Sequence, residues 1–272
     1  MARRKKRRLN IKNIVLAVIF VIAVISAVIA IVLAVGNWGG SGEASSPSSE
    51  SQQSSQSSSS SSSVSSVVSD PDDSWQLILA NPSNPVPEGF TVNLTDITGN
   101  YADIPALDNM KVDSRIVEPL EQMFKDAKAA GQNLFLRASY RTVALQQTYY
   151  DWHINHYKEQ GYSDEEAKEA TLRYIAYPGT SEHHTGLAVD IISVDWQNSG
   201  QEIIDTFDQT AEAEWLKNNA HKYGFIMRYP KDKEDITKIG YEPWHFRYVG
   251  KAHAAAIYNS GLCFEEYLDT LK

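Results

Sequence analysis

The chain is short of cysteine, since Cys263 is the single one in 272 residues. One cysteine excludes an intrachain disulfide and any zinc site built from several thiolates. We interpret Cys263 as a small, buried, apolar residue, which is how free cysteines usually behave. The chain also shows no internal repeat, so a solenoid or other repeat architecture is not expected.

Basic residues are scarce beyond the N-terminus. Seven of the 25 lysines and arginines lie within residues 3–12, ahead of any acidic residue, which leaves 18 basic against 34 acidic residues in the rest of the chain. Nucleic-acid-binding domains carry a basic footprint. The acidic body therefore argues against nucleic acid as a partner.

A long apolar run follows the basic cluster. Residues 14–35 are Ile, Val, Leu, Ala and Phe with Ser26 as the one polar residue, and about 20 such residues span a bilayer as a helix. The basic residues 1–13 predict a cytoplasmic N-terminus, because positive charge is retained inside. We expect a single-pass anchor in the cell membrane with the rest of the chain outside. The alternative is a cleaved signal peptide, whose apolar region is normally shorter.

Two further segments differ sharply in composition. Residues 36–73 are dominated by serine and predict a disordered linker, because they offer too little apolar surface to bury. Residues 74–272 hold five of the six tryptophans and form the predicted globular domain. Extracellular animal domains of this size often carry disulfides, so an exported chain without them fits a bacterial exterior better.

The globular part reads as an α+β fold with a small, mainly antiparallel sheet flanked by helices. Apolar periodicity and capping signals indicate its helices and strands. Helices are predicted near residues 113–130, 142–160, 163–175 and 210–223, with two short ones at the end. Strands are predicted at 134–139, 187–193, 225–229 and 244–249, and a turn-rich opening follows a short strand at 76–80.

Two stretches carry the residue types of a hydrolytic metal centre. Residues 181–190 offer His183 and Asp190, and residues 241–245 offer Glu242 and His245. Three ligands leave a fourth position for water, and an unligated glutamate takes that water's proton. The three ligands converge if the strands that carry them are neighbours. On spacing alone, the alternative of structural histidines stays open.

These stretches also resemble a known family. The pattern S-x-H-x-x-G-x-A-x-D is matched by Ser181, His183, Gly186, Ala188 and Asp190. It resembles the signature of the D-alanyl-D-alanine carboxypeptidases, which include the VanY-like enzymes of vancomycin resistance and relatives with the hedgehog-type zinc fold.

Two more segments support the resemblance. Residues 242–250, E-P-W-H-F-R-Y-V-G, are similar to the family's second signature, and Ser139–Arg141 with Gln146 is similar to a third. Together the three cover most of residues 77–271 in the family's order. Lys238 departs from the family, which has glycine in the approach to the second signature.

The resemblance implies a role for each matched residue. His183, Asp190 and His245 would hold one Zn²⁺. Glu242 would act as the general base and Arg141 would stabilise charge on the scissile carbonyl, although a surface glutamate and a structural ion pair are the alternatives. The expected substrate contacts are Ser181, Gln146, Tyr140 and Trp244. The alternative for Ser181 is a turn cap, and the alternative for the two aromatic residues is packing in the core.

The remaining histidines have simpler interpretations. His184 occupies a variable position of the first signature, so we expect it to be exposed or to lie behind the metal ligands. His153 and His156 lie three residues apart on a predicted helix without a third ligand. We therefore interpret them as a solvated helix face.

The expected function is removal of the C-terminal D-Ala from peptidoglycan stem pentapeptides by a zinc-dependent, monomeric carboxypeptidase. Three alternatives remain. One is an L,D-carboxypeptidase acting on tetrapeptide stems, another is a dipeptidase that frees D-Ala-D-Ala, and the third is a non-catalytic zinc-fold module that binds the cell wall. A contribution to glycopeptide resistance is implied by the resemblance alone.

Overall fold

A computed structural model of the chain describes residues 73–272. The predicted cytoplasmic segment 1–13, the predicted anchor 14–35 and all but the last residue of the predicted linker 36–73 lie outside the described residues. Within the described part, no helix has both the length and the apolar character needed to cross a membrane.

A four-stranded sheet is the centre of the fold. Its strand order is β3-β4-β6-β5, and every neighbouring pair is antiparallel. The strands are β3 (Leu134–Ala138), β4 (Ala188–Ser193), β5 (Phe225–Tyr229) and β6 (Glu242–Tyr248). The predicted mixture of helices with a small antiparallel sheet is confirmed, and β4 and β6 are the two central strands.

Eight α-helices surround this sheet in the described residues. They are α1 (Val117–Ala129), α2 (Val143–Glu159), α3 (Asp164–Leu172), α4 (Val194–Ser199), α5 (Ala211–Asn219), α6 (Glu234–Thr237), α7 (Lys251–Ser260) and α8 (Phe264–Thr270). Capping signals are present where the helices begin: Asp113 caps the 3-10 turn that leads into α1, and Ser163 forms a capping box with Glu166 at α3. These short polar side chains accept hydrogen bonds from the otherwise unpaired first N–H groups.

The predicted strand at residues 76–80 is wrong. This segment has no regular structure, and its carbonyls at Gln76 and Ile78 accept hydrogen bonds from Arg247 instead of from a neighbouring strand. Sequence reasoning also missed a two-stranded pair, β1 (Leu94–Asp96) and β2 (Lys111–Asp113). Three-residue strands are too short to show an alternating pattern.

The main core lies between the sheet and α1. Leu120, Met123 and Ala127 project from α1 and are fully buried with Leu136, Val189 and other side chains of the strands. The apolar spacing of α1 therefore acts as predicted. A second cluster joins α7 and α8 to β5, and Cys263 is buried beside α8 with 2% exposure, as predicted.

Gly186 turns the chain from the first metal stretch into β4. Its φ is +69°, and an added Cβ would lie 2.7 Å from Val92 Cγ1 and 3.0 Å from the Asp113 nitrogen. Alanine at this position would meet both the left-handed backbone penalty and a clash with the β1–β2 region.

We expect Gly186→Ala to lower the free energy of unfolding by about 2 kcal/mol or more. The measurement is urea denaturation of the variant against wild type. Gly200 is the matched control because it has the same φ of +69° and open space around its Cβ position. If Gly200→Ala costs as much as Gly186→Ala, the clash contributes nothing and the close approach is not what requires glycine.

Lys238 has the backbone conformation that glycine favours. It ends α6 with a φ of 63° in the left-handed region. A side chain there costs roughly 1–2 kcal/mol. The departure from the family pattern at this position is therefore accommodated as local backbone strain, at the loop that precedes β6.

Candidate active site

The site lies where the central strands pair. Asp190 on β4 is directly opposite His245 on β6 in the antiparallel register. A 3-10 turn, Glu182–Thr185, presents His183 immediately before β4, and Ser181 begins this turn. The expectation that the two strands are neighbours is confirmed.

Irregular pairing brings Glu242 to the same place. Met227 and Tyr229 on β5 are opposite Phe246 and Glu242 on β6, so two steps on one strand face four on the other. Such a bulge re-aims side chains that a regular strand would separate. As a result, Glu242 Oε2 lies 3.5 Å from Nδ1 of His245, although the two residues are three apart.

His183, Asp190 and His245 form the one candidate metal cluster in the described part of the chain. Their potential ligand atoms all lie within 4.8 Å of one another, and all three residues are buried. Asp190 Oδ1 lies 3.2 Å from His245 Nδ1 and 3.5 Å from His183 Nε2. This oxygen is buried and has no hydrogen-bond partner among the described residues. An unpaired buried carboxylate oxygen is costly, so the site suits a cation.

Neighbouring groups indicate which ring nitrogen of each histidine faces the cluster. Nδ1 of His183 lies 2.8 Å from the carbonyl oxygen of Ser139, so it donates there and leaves Nε2 free to accept. His245 is turned the other way, with Nε2 facing Glu182 Oε2 at 3.5 Å and Nδ1 facing Asp190. Metal-binding histidines commonly present one nitrogen to the ion and donate the other N–H to a carbonyl or carboxylate.

Charge is unevenly distributed over the buried site. Burial lowers the pKa of His183 to about 4. Burial opposes the charged form of His245 too, but proximity to Asp190 and Glu182 raises its pKa to about 9. Asp190 has a pKa well below its usual range, because the two imidazoles outweigh the effect of burial. The buried carboxylates therefore favour positive charge at this site.

Glu242 differs from the other carboxylates. Burial raises its pKa to about 8, with Asp190 adding to the effect and His245 and Arg141 opposing it. A desolvated carboxyl beside a cluster of potential ligands is a competent proton acceptor and donor. The surface-glutamate alternative does not fit, since Glu242 is 6% exposed.

Arg141 is held at the edge of the site by its neighbours. Its guanidinium donates to Gln146 Oε1 at 2.8 Å and lies 4.9 Å from the ring centre of Tyr149. Gln146 in turn donates to the carbonyl of Ala176. Arg141 forms no ion pair with any carboxylate in the described residues, so the structural ion-pair alternative is not observed. Gln146 is 1% exposed and its amide positions Arg141.

The other predicted substrate contacts have mixed surroundings. The Ser181 hydroxyl accepts the N–H of His183 at 3.3 Å, which is the capping alternative. Tyr140 lines a cavity of about 330 Å³ together with His184 and Val143. Trp244 is partly buried and packs against the cluster of Ile192 and Phe207.

His184 is buried, so the exposed interpretation is wrong. Its Nδ1 donates to the carbonyl of Arg141 at 2.6 Å, and its Nε2 accepts the N–H of Gly179 at 3.1 Å. It therefore ties the backbone at Arg141 to the loop before the site. No sequence signal predicts this role, because a histidine beside a ligand has no spacing pattern of its own.

Sequence reasoning also missed a buried ionic network behind His245. Glu182 accepts hydrogen bonds from Arg228 at 2.7 Å and from Arg247 at 3.0 Å, and Arg228 also binds Glu265 on α8. Burial opposes ionisation of Glu182, but the two guanidinium groups hold its pKa well below its usual range. Glu182 and Arg247 both lie inside the two signatures, at positions to which the resemblance assigns no role.

Three potential ligands, one unligated carboxyl and a nearby guanidinium are more than a structural metal site requires. A structural zinc site normally closes all four positions with protein ligands, whereas a catalytic site keeps one open. The fold and the site thus define a metal-dependent hydrolase.

Comparison with known proteins gives the family. Residues 109–251 match the VanY family, described as D-alanyl-D-alanine carboxypeptidase. A D-alanyl-D-alanine carboxypeptidase of Enterococcus faecalis (strain ATCC 700802 / V583) is 39% identical over 201 residues, which are 74% of this chain and 68% of the relative. The chain belongs to the VanY family of D-alanyl-D-alanine carboxypeptidases.

Two solved structures have the same fold. VanYB in complex with D-alanine-D-alanine has a TM-score of 0.63 and 39% identity, and the match covers 73% of this chain and 99% of that one. A mutant of the vancomycin resistance D,D-pentapeptidase VanY in complex with Zn(II) has a TM-score of 0.61 and 40% identity, over 71% and 99% of the two chains. The family match over residues 109–251 includes all four strands of the central sheet and the candidate site.

Proposed function

We propose that the chain is a zinc-dependent D,D-carboxypeptidase that removes the C-terminal D-Ala from peptidoglycan stem pentapeptides. The observation that carries this proposal is the convergence of His183, Asp190 and His245 beside Glu242, in a chain of the VanY family. The solved relatives that bind Zn(II) and D-alanine-D-alanine support the metal and the substrate class.

His183, Asp190 and His245 would hold one Zn²⁺, His183 from the 3-10 turn and the other two from the central strands β4 and β6. Nitrogen and carboxylate ligands without thiolate are those of many catalytic zinc sites. When bound, zinc supplies Lewis acidity that lowers the pKa of a bound water to about 7 and polarises a carbonyl.

Glu242 moves the proton. It accepts a proton from the attacking water as the water oxygen bonds to the scissile carbonyl carbon. It then gives that proton to the amine nitrogen as the C–N bond breaks, so the products are the shortened peptide and free D-Ala. Arg141 donates hydrogen bonds to the carbonyl oxygen while this oxygen carries negative charge.

Substrate orientation is assigned to the residues around these groups. Ser181 and Gln146 contact the terminal carboxylate and last residue of the substrate. Gln146 also positions Arg141. Tyr140 and Trp244 contribute aromatic walls. All four assignments follow the family resemblance and remain proposals for mutagenesis.

The proposed setting is the outside of the cell. Residues 14–35 anchor the chain in the membrane with residues 1–13 in the cytoplasm, and the serine-rich residues 36–73 tether the catalytic domain 74–272 near the wall. The chain acts as a monomer on stem peptides or their precursors. Size-exclusion chromatography with light scattering and protease accessibility of whole cells test these two statements.

Defined stem peptides test the substrate. The full chain in detergent, loaded with zinc, is incubated with penta- and tetrapeptide stems, and released amino acids are identified by mass spectrometry. Release of D-Ala from the pentapeptide is expected, and a chelator should abolish it. Cleavage of the tetrapeptide alone would establish the L,D-alternative, and no cleavage of either would favour a non-catalytic module.

We expect Arg141→Ala to lower kcat about 10²–10³-fold, which is the usual cost of losing one donor to a developing oxyanion. The assay is D-Ala release from the pentapeptide at saturating substrate. Arg173→Ala is the control, since Arg173 is exposed and pairs with Glu234 on the surface. A loss of similar size in both variants would remove Arg141 from the chemistry.

A further inference from the structure

The outer face of α2 is unusually apolar for an exposed helix. Only Gln146 and Tyr150 are buried among its 17 residues. Seven of the eleven exposed large hydrophobic side chains in the described residues lie between residues 143 and 177. Contiguous exposed apolar surface on a soluble domain marks an interaction site.

Three of these side chains form one line along α2. Leu145, Tyr149 and Trp152 follow one another at helical spacing and are 42%, 42% and 55% exposed. The Trp152 ring continues the surface by stacking on His156, at 4.9 Å between ring centres and 9° between planes. We call these three side chains, the two aromatic residues Tyr149 and Trp152 with the aliphatic Leu145, the aromatic stripe. The solvated-face interpretation holds for His156, which is exposed, while His153 is half-buried; the same helix also carries this apolar line.

The stripe is continuous with the active site. Tyr149 lies under the guanidinium of Arg141, and Arg141 directly precedes the cap of α2. A stem peptide of five residues spans at most about 17 Å when extended. From Leu145 to His156 the helix axis runs about 16 Å. A sugar attached to the far end of a stem held at Arg141 is therefore within reach of the stripe.

Resting on the proposed function, we infer that the aromatic stripe binds the glycan strand that carries the stem peptide. Pyranose rings present flat C–H faces, and the flat faces of aromatic rings pack against them. The Tyr hydroxyl and the Trp N–H remain solvated in such a contact. None of the three side chains of the stripe is itself charged, which suits a neutral sugar, and the charged neighbours Arg141 and Asp151 lie beside Tyr149 and Trp152. The stripe thereby adds affinity for polymeric wall over free peptide.

The test compares polymeric with soluble substrate. Trp152→Ala in the full, zinc-loaded chain should release D-Ala from isolated pentapeptide within twofold of the wild-type rate. On intact sacculi, turnover and co-sedimentation should fall about fivefold to tenfold. Tyr258→Ala is the matched control, because Tyr258 is 45% exposed but lies on α7.

Unchanged binding to sacculi in Trp152→Ala would overturn the inference. The inference would also be overturned if Trp152→Ala kept its binding to sacculi but lost either a dimer seen in wild type or binding to phosphatidylglycerol vesicles. The first result would assign the stripe to a second copy of the chain, and the second would assign it to a lipid surface. If the wild-type chain does not cleave pentapeptide, the proposed function is wrong. Co-sedimentation of the chain with sacculi then still measures binding by the stripe independently.

A second inference comes from two buried atoms that face each other. Nε2 of His245 and Oε2 of Glu182 lie 3.5 Å apart, and neither has a hydrogen-bond partner among the described residues. The other oxygen of Glu182 is occupied by Arg228 and Arg247. Glu182 is thus held rigidly with one oxygen directed at the back of a proposed zinc ligand.

Resting on the proposed zinc site, we propose that Glu182 is a positioning residue for His245. Its carboxylate holds the N–H of the ring on Nε2 and so keeps Nδ1 available to the metal. The two arginines balance the charge of Glu182, which allows a carboxylate to remain in a site with no exposed surface. Loss of such an outer partner typically costs 10–100-fold in metal affinity.

Zinc affinity without turnover tests this role. In the full chain, Glu182→Gln should raise the dissociation constant for zinc, measured by competition with a chromophoric chelator, about 10–100-fold. Glu265→Gln is the matched control, because Glu265 shares Arg228 but does not contact His245. The control should stay within about threefold of wild type even if urea denaturation shows that both variants are destabilised.

Glu182→Asp is the second variant, should the glutamine variant not fold, because it keeps the charge opposite both arginines. It should fold and bind zinc more weakly than wild type. In ¹⁵N NMR of the zinc-loaded protein, the His245 N–H signal should move in either Glu182 variant and stay in Glu265→Gln. Wild-type zinc affinity in a folded Glu182 variant would overturn the proposal.

Discussion

Glu242→Gln should release D-Ala from the pentapeptide about 10²–10⁴ times more slowly than wild type while still binding one zinc per chain. The expected loss is that of a general acid–base group. Glutamine keeps the shape of the side chain but takes no proton at neutral pH. The measurement pairs steady-state turnover with metal analysis of the same sample.

Turnover and metal content must be measured together because Glu242 lies close to a proposed metal ligand. Glu242 Oε2 is 3.5 Å from His245 Nδ1, so a disturbed metal site would also slow the reaction. Glu214→Gln, an exposed position on α5, controls for handling and metal loading. Turnover within a few-fold of wild type, with zinc retained, would show that Glu242 is not the base.

Asp190→Ala should abolish both zinc binding at stoichiometric metal and measurable turnover. Removing the metal forfeits several kcal/mol of transition-state stabilisation, which corresponds to about 10³-fold or more in rate. Two histidines alone make a weak site, and the buried oxygen that lacks a protein partner would be gone. Isothermal titration with zinc and the D-Ala release assay measure the two losses.

Asp195→Ala is the control for this variant, since Asp195 is an exposed carboxylate on α4, five residues along the chain. Adding excess zinc to Asp190→Ala separates a weakened site from a lost one. Full recovery of turnover at modest zinc excess would mean that Asp190 only assists binding. Unchanged zinc affinity would remove it from the metal site altogether.

Much of this arrangement is predictable from local signals. The spacing of Ile116, Leu120 and Met123 predicts the buried face of α1, and each has no exposed surface. The signatures predict that His183, Asp190 and His245 share a site, and they converge. Both succeed because they depend on periodicity or on a pattern held within a few residues.

The parts that were missed depend on contacts between distant segments. Glu182 acquires its surroundings from Arg228 and Arg247, 46 and 65 positions away. Segment 76–78 gives its carbonyls to Arg247 instead of forming a strand. The exposure of Trp152 follows from the absence of a packing partner for the outer face of α2 in the described residues, which composition does not reveal.

The most direct test of the site is anomalous diffraction at the zinc edge from crystals of the zinc-loaded protein. We predict a single strong peak bounded by Nε2 of His183, Nδ1 of His245 and a carboxylate oxygen of Asp190, with Glu242 adjacent but not coordinated. A peak elsewhere, or a metal bound with either imidazole rotated away, would contradict the account.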